Sequence, residues 1–184
     1  DLSNVLSVAG EVKFNSNTTL ESIDLNALNS IDGDLQIYSN QDLSNIDFSS
    51  LLIIDEDLYL GSNQSLATFD CPNLTTLTGN FSFNDESTEI ISMPNLLTLN
   101  YLSTEVWSWN SNWALQEIDF SGMTTIGTFE FWGDYAVPQF TTFNLSSLIE
   151  IQNTFSLSGV PSLNTLNFGQ LDTVNDFEVN STAV

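Results

Sequence analysis

Acidic side chains recur at a spacing that could bind a cation. Asp24, Asp47 and Asp70 lie 23 residues apart. If each 23-residue stretch forms one row of a stack, the three carboxylates stand in a column about 4.8 Å apart, where neighbouring charges repel by about 1 kcal/mol even in water. Calcium prefers such oxygen ligands, but a flat column supplies fewer than the roughly six to eight that it needs. The pattern therefore predicts either loosely bound calcium or a solvated acidic face that counter-ions screen.

Aromatic side chains could form a recognition surface. The candidates are Tyr101, Trp113, Trp132 and Tyr135, which fall at outward or loop positions of two irregular rows. Exposed rings that lie close together bind sugars or anchor a protein partner. The loops could instead fold over the rings and bury them, and the sequence leaves both interpretations open.

Catalysis has little support in the residue types that are present. The chain has no His, and Lys13 is its only basic residue; Cys71 is its only cysteine. The usual pairs of nucleophile and base therefore cannot be assembled. Two carboxylates could hydrolyse a glycoside, but no acidic pair stands out from the rest. We predict a protein that is not an enzyme and has no cofactor.

The charge of the chain excludes two classes of partner. The 24 acidic residues and one base give a formal net charge of -23. Nucleic acids and anionic membrane surfaces both need Lys and Arg for binding, so we expect neither as a partner. No apolar run reaches the length of a membrane span, and a hydrophobic content of 41% is enough for a folded core.

Glycosylation motifs indicate the compartment. Six Asn-X-Ser/Thr sequons occur, at Asn17, Asn63, Asn73, Asn80, Asn144 and Asn180. Together with the richness in Asn, Ser and Thr and the near absence of bases, they favour an extracellular or cell-surface glycoprotein. Cys71 falls at an inward position, where an unpaired cysteine acts as a small apolar residue and says little about compartment.

A repeat of 23 residues organises the chain. Residues 20–42 and 43–65, here called rows two and three, carry the same pattern, with apolar residues at Leu20/Leu43, Ile23/Ile46, Leu25/Phe48, Leu28/Leu51, Ile31/Ile54, Leu35/Leu58 and Ile37/Leu60. A fixed short period is typical of a solenoid. We predict a single repeat domain over residues 1–184 that starts inside row one and ends with row eight.

Two rows depart from the period. Extra residues near 100–106 in row five and 132–139 in row six predict irregular loops. Counting back from Leu115 puts Trp107 and Trp109 at the positions that Leu35 and Ile37 occupy in row two.

Short alternating segments within each row predict strands. Ile23-Asp24-Leu25 and Leu35-Gln36-Ile37 alternate apolar and polar residues, and no window has the 3.6-residue period of a helix. We predict an all-β protein, a parallel β-solenoid of about eight rows with three short strands per row.

Asparagine recurs at the turn before the next row, at Asn17, Asn40, Asn63 and Asn112. Asparagine caps backbone groups in turns and tolerates the left-handed conformation, which makes a structural role the main interpretation. The series should break where other residues take this position, at Glu86, Asp134 and Val160.

The row pattern resembles a known family. The string L-x-x-I-x-G-x-L-x-I-x-x-N-x-x-L stands here as Leu28, Ile31, Gly33, Leu35, Ile37, Asn40 and Leu43. It is similar to the receptor L domain, the leucine-rich-repeat relative of insulin and EGF receptor ectodomains, and to rows of fungal cell-wall glycoproteins. The resemblance implies an extracellular, right-handed β-solenoid used for binding or surface architecture. The chain lacks the disulfides that often cap such domains.

Three functions compete at this stage. We favour a non-catalytic extracellular or cell-surface structural or adhesion module, which presents a rigid acidic solenoid to protein or glycan partners. The alternative is a self-assembling subunit of an extracellular filament or surface layer that stacks head to tail, since exposed parallel edges pair readily. An ice- or mineral-binding face is the third, from a line of threonines that Glu150 interrupts: Thr76, Thr98, Thr125 and Thr173.

Overall fold

The computed structural model of this chain describes residues 2–85, 87–103, 114–132, 137 and 139–180. All regular structure in these residues is β-strand. Among them no helix exists that is long and apolar enough to cross a membrane. The predicted all-β class is confirmed.

The strands follow the rows. In rows one to four they are β1 (Ser7–Val8), β2 (Val12–Asn15), β3 (Ser22–Asp24), β4 (Ser30–Ile31), β5 (Leu35–Tyr38), β6 (Asn45–Asp47), β7 (Ile53–Ile54), β8 (Leu58–Gly61), β9 (Thr68–Asp70), β10 (Thr76–Leu77) and β11 (Asn80–Asn84). In rows five to eight they are β12 (Ile90–Ser92), β13 (Thr98–Ser103), β14 (Glu117–Asp119), β15 (Thr125–Trp132), β16 (Thr142–Asn144), β17 (Glu150–Ser158), β18 (Thr165–Asn167) and β19 (Thr173–Asn180).

Equivalent strands of successive rows pair in parallel. The large sheet runs β2-β5-β8-β11-β13-β15-β17-β19, and β1-β4-β7-β10 joins it at β13. The opposite side consists of the sheet β9-β12-β14-β16-β18 and the separate pair β3-β6. Ile23 pairs with Ile46, and Phe69 pairs with Ile91. The chain is therefore a parallel β-solenoid of about seven turns with a period near 23 residues.

The number of strands per row changes along the stack. Rows two to four have the three predicted strands, whereas rows five to eight have two, because the second and third strands have joined. The bend that separates β4 from β5 becomes an irregularity inside the long strands. The register shifts between Ile126 and Phe129 where β15 meets β17, and between Ile151 and Thr154 where β17 meets β19. A bulge bends a strand without ending it.

Row five corrects the predicted register. Leu102 pairs with Phe81, and Phe81 pairs with Leu58, so Leu102 occupies the position that the sequence assigned to Trp107. Residues 100–103 belong to β13 and are not a loop. The interval from Leu99 to Leu102 is one residue shorter than the interval from Ile31 to Leu35 in row two, which conceals the match. Residues 104–113, with Trp107 and Trp109, lie outside the described residues.

Phenylalanines stack from row to row in the core. The ring of Phe155 lies 4.7 Å from that of Phe129 and 5.1 Å from that of Phe177, and both pairs are nearly parallel. Phe129 and Phe131 are fully buried. Cys71 is buried at the position of Leu25, and burial raises the pKa of its thiol. In-register pairing thus places equivalent side chains in contact.

Replacing one of these rings tests the stacked core. Phe155→Ala should lower the free energy of unfolding by about 3–5 kcal/mol, because a fully buried ring is lost and a cavity remains. Urea denaturation measures the change. The matched control Leu52→Ala removes a side chain that is 42% exposed and should stay within about 0.5 kcal/mol of the parent. Equal effects of the two substitutions would contradict the described core.

Candidate functional site

The acidic column lies at a corner of the solenoid. Asp24 pairs with Asp47 across β3 and β6, and Asp70 ends the next strand of that side, β9. The Oδ1 of Asp24 accepts the backbone N–H of Asn26 at 3.3 Å, and that of Asp47 accepts the N–H of Ser49 at 2.9 Å. These carboxylates thus form the hydrogen bonds of Asx turns.

The same turn recurs in later rows. Asp119, Asn144 and Asn167 each accept the N–H of the residue two positions on. Asp70 is followed at that position by Pro72, which has no N–H to donate. Among the residues that the structure describes, no three acidic side chains converge as ligands for one ion. Calcium at Asp24, Asp47 and Asp70 stays a prediction that rests on spacing alone.

The predicted aromatic candidates separate into two groups. Trp132 ends β15 and is 51% exposed. Tyr101 on β13 is half-buried, and its hydroxyl donates to Oε2 of Glu130 at 2.6 Å. Trp113 and Tyr135 lie outside the described residues. Trp132 is therefore the exposed ring of the predicted set within the described part of the chain.

Two further exposed rings, which the sequence interpretation missed, lie on the same sheet. Tyr38 on β5 is 42% exposed and Tyr59 on β8 is 36% exposed. Both follow the alternation of their strands, which places them opposite the buried leucines and isoleucines. Both belong to regular rows, where the alternation of apolar and polar residues already indicates that they point outward.

A cleft lies between these tyrosines. Gly61 pairs with Tyr38 on one side and with Asn84 on the other. Because Gly61 has no side chain, a cleft of about 120 Å³ remains, bordered by Tyr38, Tyr59, Ser82 and Asn84. Tyr38 and Asn84 stand two rows apart, about 9.6 Å at the usual strand spacing. A Cβ added to Gly61 would lie 2.8 Å from the carbonyl oxygen of Asn84, so glycine is needed here.

The carboxylates beside the cleft are already hydrogen-bonded. Asp57 Oδ2 accepts the hydroxyl of Tyr59 at 2.6 Å, and its Oδ1 accepts the backbone and side-chain N–H groups of Asn80 at 2.7 and 3.0 Å. Asp34 accepts the side-chain amide of Gln36 and the backbone N–H of Asp57, both at 3.1 Å. The acidic groups next to the cleft are thus bound within the sheet.

A buried polar column fixes the corner behind the cleft. Oδ1 of Asn40 accepts hydrogen bonds from the backbone N–H and the side-chain amide of Asn17, at 3.1 and 3.0 Å. Oδ1 of Asn63 accepts the same two bonds from Asn40, at 3.3 and 3.1 Å. Oδ2 of Asp85 accepts hydrogen bonds from the backbone N–H and the side-chain amide of Asn63, at 2.8 and 3.1 Å. Asn40, Asn63 and Asp85 are fully buried and come at most two residues after Tyr38, Gly61 and Asn84. The column therefore lies directly behind the strand ends that border the cleft.

The turn itself is made by serine. Ser16, Ser39 and Ser62, directly before the asparagines, have φ angles of 61°, 59° and 55°. The serine thus adopts the left-handed conformation. The asparagine side chain turns inward and binds backbone groups of the neighbouring rows, as its predicted structural role requires. Gly159, with φ of 70°, takes the serine position in row seven.

The ends of the asparagine series also differ from the prediction. Asp85, one residue before the expected Glu86, takes the asparagine position and continues the column. In row six the position belongs to Val137 and not to Asp134, since the N–H of Phe140 donates to the Val137 carbonyl as that of Leu43 does to Asn40. The predicted break at Val160 is confirmed, because this residue is buried and has no polar side chain. Glu86, Asp134 and Asn112 lie outside the described residues.

The sequons differ in accessibility. Asn63 is fully buried and its Nδ2 donates to the carbonyl of Ile37 at 3.0 Å, so the folded chain offers no room for a glycan there. Asn80 and Asn144 are half-buried, and their amides donate to Asp57 and Asp119. The exposed sequon asparagines are Asn17, Asn73 and Asn180.

Comparison of the chain with models of protein families, with curated proteins and with solved structures gave no match. The likeness to receptor L domains therefore rests on the apolar spacing and on the solenoid fold. Functional inference depends on the described surface, where the cleft and Trp132 share one sheet.

The pH dependence of stability tests the polar column. Burial raises the pKa of the Asp85 carboxyl, although the N–H groups of Asn63 and Ser87 oppose the shift. The folded state then keeps a proton that the unfolded chain has lost, so the free energy of unfolding should fall as pH rises from about 4 through the folded pKa.

Asp85→Asn should remove this part of the pH dependence. The other carboxylates titrate in both proteins, so the informative quantity is the difference in the free energy of unfolding between parent and variant. We expect the variant to gain stability relative to the parent as pH rises from about 4.5 to 8, measured by urea denaturation. A difference that stays constant with pH would refute the raised pKa.

Proposed function

We propose that this chain is a non-catalytic adhesion or recognition module of the extracellular space or cell surface, built like a receptor L domain and directed at glycan or protein partners. The observation that carries the proposal is the group of exposed rings on one sheet. Tyr38, Tyr59 and Trp132 lie on the large sheet, and a cleft separates the two tyrosines. Exposed aromatic groups with polar neighbours are typical of binding surfaces.

The positions of the rings support a shared surface. Tyr59 on β8 pairs with Ser82 on β11, and Ser82 pairs with Ser103 on β13. Ser103 in turn pairs with Glu130 on β15. Trp132 stands two residues after Glu130, as Gly61 stands two residues after Tyr59. Trp132 is therefore in line with the cleft, about 19 Å from Tyr38 at one strand spacing per row.

The rigidity of the scaffold favours recognition. The rings are held on strands that pair on both sides and pack over a buried core. A surface that is ordered before binding loses little conformational entropy when a partner binds. Such a scaffold suits a module that displays a fixed surface.

Removing the rings tests this proposal. The double variant Tyr38→Ala/Trp132→Ala should lose most of the binding of the labelled protein to panels of immobilised polysaccharides and proteins, because the exposed rings supply the contact area. The control Leu97→Ala removes a side chain that is 50% exposed on another part of the surface and should bind as the parent does. Unchanged melting temperatures would show that both variants are folded. Equal binding by the double variant and the parent would refute the proposal.

Self-assembly is the second candidate, and the end rows favour it. Val174 and Phe177 of row eight are 40% and 49% exposed, and Leu2 and Leu6 of row one are 46% and 62% exposed. A row of the same period would cover them, whether it comes from a second copy or from a longer chain. End-to-end stacking of copies would extend the parallel sheets.

Light scattering separates this candidate from the first. Stacking predicts that the molar mass of the purified chain rises with concentration, and that Phe177→Asp abolishes the rise by placing a charge at the contact. A monomer mass at every concentration would eliminate the filament.

A further inference from the structure

We infer that the cleft over Gly61 is a subsite for one uncharged sugar ring of a neutral glycan. The inference rests on the proposed function and specifies the ligand of the same surface. It depends on the size of the cleft, the groups that line it and the charge of that lining.

The size of the cleft fits one ring. Its volume is about 120 Å³, below the roughly 300 Å³ at which pockets for drug-sized ligands begin, which limits an occupant to a group of about one ring. The cleft exists because Gly61, which has no side chain, lies between Tyr38 of the row before and Asn84 of the row after. A flat ring can enter from the open side with its edges towards these two residues.

The lining offers the two kinds of contact that a sugar makes. Tyr38 and Tyr59 supply aromatic rings, whose negatively polarised faces attract the C–H groups of a pyranose. The side-chain amide of Asn84 and the hydroxyl of Ser82 supply hydrogen-bonding groups for sugar hydroxyls. Mostly apolar walls with a few polar groups characterise small-molecule sites.

The charge distribution favours a neutral ligand over a charged one. Every side chain that borders the cleft is uncharged. The neighbouring carboxylates of Asp34 and Asp57 are engaged by hydrogen bonds on both of their oxygens. An anionic sugar would be repelled by a chain of formal charge -23, and a cationic peptide would find no carboxylate within the cleft itself.

The test uses neutral and charged probes on the isotope-labelled chain. The neutral probes are methyl glucoside, methyl mannoside, cellohexaose, maltohexaose and mannohexaose; the charged probes are hexagalacturonate and hexalysine. Amide chemical shifts of Gly61 and Asn84 report the cleft. We expect at least one neutral probe to shift both amides, and hexagalacturonate to shift neither.

Variants assign the binding to its residues. Tyr38→Ala should weaken the hexasaccharide about tenfold, whereas the matched control Tyr38→Phe, which keeps the ring, should change affinity less than about twofold. Leu97→Ala, which removes an exposed side chain away from the cleft, should leave the affinity unchanged.

The outcomes distinguish the inference from the proposed function. If a neutral glycan binds but Gly61 does not shift and Tyr38→Ala binds normally, the subsite is wrong while a glycan-binding module stands. If hexalysine shifts Gly61 and Asn84 and no sugar does, the cleft serves basic peptides and the inference is overturned, while protein recognition stands. If no sugar binds and the immobilised panels retain nothing, both fail.

Discussion

The parallel hydrogen bonds between equivalent strands of successive rows are the constraint on which everything else depends. A single row cannot bury its own apolar side chains, so each row is stable only between neighbours. The strand spacing then repeats every feature of a row at intervals of about 4.8 Å. The ring stack of Phe129, Phe155 and Phe177 follows directly from this register, as does the merging of strands in later rows, where a bulge absorbs the corner.

The polar column shows how the same spacing satisfies groups that are costly to bury. An isolated buried amide would lose its hydrogen bonds to water. In this stack Asn40 and Asn63 each accept two N–H groups from the row before and donate to the row after. The column ends at Asp85, where a carboxylate accepts and cannot donate unless it is protonated. Burial at the end of this column is the physical reason for the raised pKa of that group.

The cleft over Gly61 lacks the charge that dominates the composition of the chain. The chain is strongly acidic, yet the cleft over Gly61 is lined by uncharged groups, and the carboxylates beside it bind neighbouring strands. The acidic surface keeps polyanions away from a neutral cleft. Because the cleft is formed by strands that pair on both sides and is backed by the asparagine column, its shape is set before any partner arrives. The proposed binding of an uncharged ligand would use this combination.

The 23-residue period by itself determined the fold, since it decides which side chains point inward and places Ile23 beside Ile46. The same period also aligns Tyr38, Gly61 and Asn84, so the position of the cleft follows from the sequence. Only the tertiary structure decided where the spacing departs from the period, at Leu102 and Asp85. It also decided which carboxylates accept hydrogen bonds from neighbouring strands. The physical reason is that apolar burial repeats with the chain, whereas the partners of a polar side chain depend on the residues that neighbouring rows bring beside it.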